Sequence, residues 1–94
     1  MTFAAAYDKH GDEYGKFDKV ENKLSSRPDL HAFILLDKIV PGGLDIISAA
    51  EHDEFWLSVT PQEIDEKATE EQMIELIRCG VRYDSSTDAL AFFA

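Results

Sequence analysis

The sequence predicts an α+β fold, with N-terminal helices packed on a small antiparallel sheet built from two β-hairpins that an acidic helical segment separates. Three observations predict it. Apolar residues recur at steps of three and four in the first half of the chain. They switch to period-two alternation in two later stretches. Between those stretches, at Thr60 and Thr69, stand two helix-start signals.

The opening residues Thr2 to His10 read as a short helix using Phe3, Ala6 and Tyr7, which Gly11 and Gly15 keep from extending. Residues 1–12 are therefore expected to be loosely held. From Glu13 to Leu24, the apolar residues Tyr14, Phe17, Val20 and Leu24 follow helical spacing among Lys, Asp and Glu, which predicts an amphipathic helix. Ser26-Arg27-Pro28-Asp29 has the form of a capping box, so a second helix is expected to start there. Leu30, Phe33, Ile34, Leu36, Ile39 and Val40 give it an apolar face, Lys38 suits its negative end, and Pro41-Gly42-Gly43 stops it. A buried strand is the alternative over residues 29–40. A run of about 13 residues without an internal breaker favours the helix.

Ile46 to Ala50 and Phe55 to Val59 then read as the arms of a hairpin turning at His52-Asp53. Phe55, Leu57 and Val59 share one face, Trp56 and Ser58 the other, and Asp53 is the residue better suited to a positive φ in the turn. Thr60-Pro61-Gln62-Glu63 combines a threonine cap, proline at the first helical position and glutamate three residues after the cap. Thr69-Glu70-Glu71-Gln72 repeats the signal, so two short helices are expected, the second turning Met73, Ile74, Leu76 and Ile77 inward. Gly80 ends that helix in a Schellman arrangement with Val81 closing on Leu76. Val81 to Asp84 and Ala89 to Phe93 flank the turn formers Ser85-Ser86-Thr87-Asp88 as a second hairpin. Regular alternation leaves either Phe92 or Phe93 near the surface. The hairpins are expected to join into one four-stranded antiparallel sheet, with one face under the helices and the other free for solvent or a second subunit.

The 94 residues form one expected domain, 45% hydrophobic and 30% charged, with a formal charge of -10. A chain of this size hides only about 60 to 65% of its unfolded surface, so its core is small and a homodimer is a compatible supplement. No apolar run approaches a membrane span, and no charged-then-apolar leader is expected at the start. The single cysteine, Cys79, suits a reducing compartment, which makes the cytoplasm the expected location. Residues 1–47 hold six basic and eight acidic groups, a balance of -2, while residues 48–94 hold three and eleven, a balance of -8. That second half repels phosphate backbones and attracts basic protein surfaces, so direct nucleic-acid binding is disfavoured.

Glu51-His52-Asp53-Glu54 is the densest group of potential metal ligands, but neighbours on a strand point in opposite directions. A site there needs His10 or His31 to arrive from elsewhere. No metal, cofactor or catalytic residue is expected. Cys79 has no adjoining histidine base and reads as a small buried hydrophobe. Glu63, Asp65, Glu66, Glu70, Glu71 and Glu75 place six carboxylates within thirteen residues, and Trp56 supplies an aromatic anchor nearby. The reading that follows is a non-enzymatic interaction module docking a basic protein surface, in its most pointed form an inhibitor that imitates nucleic-acid charge. Two alternatives stand beside it. One is a small metal-dependent enzyme or binder using His52 and Asp53, and the other is a self-assembling module.

Overall fold

A computed structural model describes residues 1–93. In chain order they form α1 (Phe3–Lys9), α2 (Pro28–Ile39), β1 (Ile47–Glu51), β2 (Glu54–Leu57), α3 (Pro61–Lys67), α4 (Glu70–Cys79), β3 (Arg82–Asp84) and β4 (Ala89–Phe93). The fold is α+β. Both hairpins are antiparallel, and β2 pairs antiparallel with β4 to join them into one sheet of order β1-β2-β4-β3.

Local chemistry accounts for most of these boundaries. Thr60 and Thr69 each accept from the backbone N–H three residues on, while Glu63 and Gln72 return to the cap N–H, completing both capping boxes. Gly80, at φ +103°, donates to the Ile77 carbonyl, and Val81 donates to that of Leu76, each at 3.0 Å, which is the Schellman closure. Gly42 takes φ +97° just past α2. In the first hairpin His52, rather than Asp53, takes the positive φ, at +55°.

The sheet turns Phe55, Leu57, Leu90 and Phe92 toward the helices, where they join one cluster with Phe3, Leu36, Ile64, Met73, Leu76, Ile77 and Val81. Phe55 and Phe92 stack with centroids 5.6 Å apart, and Phe33 meets both rings at a tilt, at 6.0 and 6.1 Å. On the opposite face two clasps span β4. The Trp56 indole N–H reaches Asp84 at 2.9 Å, and the Arg82 guanidinium reaches Glu54 while lying over the Phe93 ring. Together they cover Ala91, which is fully buried. Phe93 is the half-exposed member of the Phe92–Phe93 pair.

The opening helix packs on the core: Phe3 is fully buried and α1 lies against α3, α4 and β3. Three further expectations change. Residues 13–24 form no α-helix. Short 3-10 turns at Gly11–Glu13 and Phe17–Lys19 flank Gly15 at φ +74°, and Asn22 stands at φ +53°. The helical spacing there is a coincidence of a wrapping segment, in which Val20 is buried while Tyr14 and Leu24 stay exposed. The Ser26 box does not form either. Arg27 is the cap residue, its side chain makes no capping bond, and its guanidinium donates to Asp29 instead. Finally, the buried stripe of α2 is His31, Ala32, Leu35, Leu36 and Ile39, leaving Leu30 and Ile34 exposed.

Candidate functional site

The six carboxylates around α3 and α4 divide by their partners. Glu63 closes the α3 box, and the Thr60 N–H it accepts holds its carboxyl below the usual range. Asp65 accepts the Phe3 N–H at 2.7 Å and so caps α1 from another element. Glu70 receives the His10 ring at 2.7 Å and the Lys9 ammonium at 3.4 Å, and the His10 bond lowers its pKa most. Glu75 meets the His31 ring, also at 2.7 Å. Only Glu66 and Glu71 of the six are exposed. Three of these groups, Asp65, Glu70 and Glu75, therefore tie α3 and α4 to other elements, and Glu63 caps its own helix. Trp56 is half-buried and committed to Asp84.

His31 is the one buried polar side chain among the described residues, at 1% exposure. Its Nδ1 accepts the Leu24 N–H at 3.0 Å, so Nδ1 carries no proton and Nε2–H donates to Glu75. Phe17 meets the ring edge-on, and Lys23 sits 5.2 Å from the Phe17 centroid. One imidazole thus ties the irregular 20–27 segment to α2 and α4. Sequence reasoning missed this pair. The available signal was the i, i+4, i+8 spacing of His31, Leu35 and Ile39, which places a histidine in an apolar stripe and requires a partner for it.

The same arrangement shapes an open groove of about 380 Å³ between the wrapping segment and α4, lined by Val20, Glu21, Glu71, Ile74, Glu75 and Arg78. Val20 and Ile74 form an apolar floor, and Glu21, Glu71 and Glu75 bring carboxylates from two elements. Arg78 at one end is occupied by Glu13 at 2.9 Å, and that contact lowers the Glu13 pKa. Glu21 was not among the sequence-predicted site residues, because its approach to α4 depends on the 20–27 segment being folded back.

Cys79 is buried in the last turn of α4, and burial, reinforced by the Glu75 charge, pushes its thiol up to about 12. It is a hydrophobe in this setting rather than a nucleophile. His52 stands exposed in its turn, while His10 and His31 are engaged with Glu70 and Glu75. Among the described residues no three His, Cys, Asp or Glu side chains gather as metal ligands, and no helix is long and apolar enough to cross a membrane. No protein-family model, curated protein or solved structure matches the chain.

Proposed function

We propose that the chain is a non-enzymatic protein-interaction module that receives a basic segment of another protein in the α4 groove. The observation that carries this reading is the convergence of Glu21, Glu71 and Glu75 on the apolar floor of Val20 and Ile74. A lysine or arginine side chain lays its aliphatic stem on apolar surface while its charged head seeks carboxylates, so the groove has the chemistry such a residue needs. The net charge of -10 draws basic partners in over about 8 to 10 Å at moderate salt. Because Glu63, Asp65, Glu70 and Glu75 are tied to the fold, a local basic contact is favoured over an extended imitation of a phosphate backbone. The lone thiol suits a reducing compartment, and the proposal places the module in the cytoplasm.

Calorimetric titration with an arginine-rich decapeptide tests the reading. Saturable binding that weakens between 50 and 300 mM NaCl is expected, and the pair Glu21→Lys with Glu71→Lys should reduce affinity at least tenfold. Glu75 and Glu70 are left intact because they hold His31 and α1. The control pair Glu51→Lys with Asp53→Lys changes net charge equally at the far hairpin turn. Equal weakening by both pairs would reduce the effect to net charge and reject the groove.

A further inference from the structure

Arg78 is the one cationic residue lining the acidic groove, and its direction is set from outside α4. Side chains on a helix lean toward its N-terminus, over the residues three and four positions earlier. For Arg78 those are Glu75 and Ile74, a carboxylate and part of the apolar floor, with Glu71 one turn farther along the same face. A glutamate one turn before an arginine is also the favourable order for a helical ion pair. The helix by itself therefore directs this guanidinium into the groove. In the structure it is paired elsewhere. Its Nε donates to Glu13 at 2.9 Å, while Glu75 is bonded to His31, and among the described residues Glu21 and Glu71 have no ion-pair partner. The backbone fixes Glu13 in that place, because the Gly15 N–H two residues on donates to the Ile77 carbonyl of α4 at 3.2 Å.

We infer that Glu13 is a positioning residue that draws Arg78 to the end of the groove and leaves Glu21 and Glu71 to a partner's basic side chain, an assignment that rests on the groove being the binding site. Without the Glu13 carboxylate, Arg78 folds back over Ile74 and pairs with Glu75 or Glu71. The chain then fills its own groove with an arginine, the very side chain a basic partner would bring. Glu13 thus governs binding without lining the groove, by removing an internal competitor.

Glu13→Met, which removes the carboxylate and keeps most of the side-chain volume, tests the inference in two ways. With no peptide present, heteronuclear NMR should show the Arg78 Nε–H gaining Overhauser contacts with side-chain protons of Glu75 or Glu71. In calorimetry with the arginine-rich decapeptide at 50 mM NaCl, Glu13→Met should weaken binding at least threefold. Arg78→Met should change it less than twofold, and the double variant should bind within twofold of the wild type. Such asymmetry is the mark of two coupled residues. Net charge acting alone would shift affinity by equal factors in opposite directions in the two single variants, and that symmetric result overturns the inference. Arg78 contacts that are the same in Glu13→Met as in the wild type overturn it as well. Glu13→Gln, a closer isostere with a neutral acceptor, should show the same changes to a smaller extent, so the comparison survives if Glu13→Met fails to fold. A wild-type chain that binds no peptide, while Arg78 still moves in Glu13→Met, rejects the groove as a binding site and upholds the positioning of Arg78 by Glu13.

Discussion

His31 shows how much one side chain carries in this molecule. Its ring accepts from Leu24 on one side and donates to Glu75 on the other, at 3.0 and 2.7 Å, from a position with almost no solvent contact. His31→Leu keeps the volume roughly but leaves a backbone N–H and a half-buried carboxylate without their partner. Unsatisfied buried groups cost about 1 to 3 kcal/mol each, so urea denaturation should show a loss of roughly 2 to 3 kcal/mol. Glu75→Gln, which retains an acceptor for the Nε2 proton, should lose less. Equal losses would mean that the charge of Glu75, rather than the hydrogen bond, sustains the pair. Cys79 illustrates the opposite case, in which burial makes a reactive atom inert and its chemistry becomes that of a small apolar side chain.

The elements that were legible in the sequence are those whose ends are set by neighbours in the chain. Thr60-Glu63, Thr69-Gln72 and Gly80-Val81 specify their caps through bonds spanning three to five residues, and the structure contains each of them. Both hairpins follow from alternation and from short polar turns. The stretch from Glu13 to Leu24 was not legible, because its conformation depends on distant acceptors: Gly15 donates to the Ile77 carbonyl and Leu24 to the His31 ring. The carboxylate groove shared that fate, since Val20 and Glu21, one of its two walls, come from the same stretch. The caps can be tested directly. Thr60→Ala and Thr69→Ala should each cost about 1 kcal/mol in urea denaturation. A negligible loss at either site would mean that packing of Ile64 or Met73, rather than the cap, sets where that helix begins.

At the scale of the whole molecule, 5477 Å² of surface is what a compact chain of this mass presents, about 5,500 Å² by the usual size scaling. The tied carboxylates make part of what favours the folded state depend on pH. Glu13, Asp29, Glu63, Glu70 and Asp84 all have pKa values lowered in the fold. The leading causes are Arg78, Arg27, the Thr60 N–H, His10 and the Ser86 hydroxyl, respectively. A carboxylate whose pKa is lower folded than unfolded contributes stability above its unfolded value, near 4, and loses it as pH falls through the folded value. The urea midpoint should therefore drop progressively below about pH 4, with Trp56 fluorescence following because its indole is bonded to Asp84. A midpoint that rises on acidification to pH 3 would show that relief of the -10 self-repulsion outweighs these bonds.

The wrapping segment between α1 and α2 also decides where this fold accepts foreign sequence. Glu21, Asn22 and Lys23 are exposed, with Asn22 already in a turn conformation, and the fastenings at Gly15 and Leu24 lie outside them. Lengthening a flexible loop twofold costs only about 0.6 kcal/mol, so an epitope or a fluorescent tag grafted after Asn22 would leave helices and sheet in place while projecting beside the acidic groove.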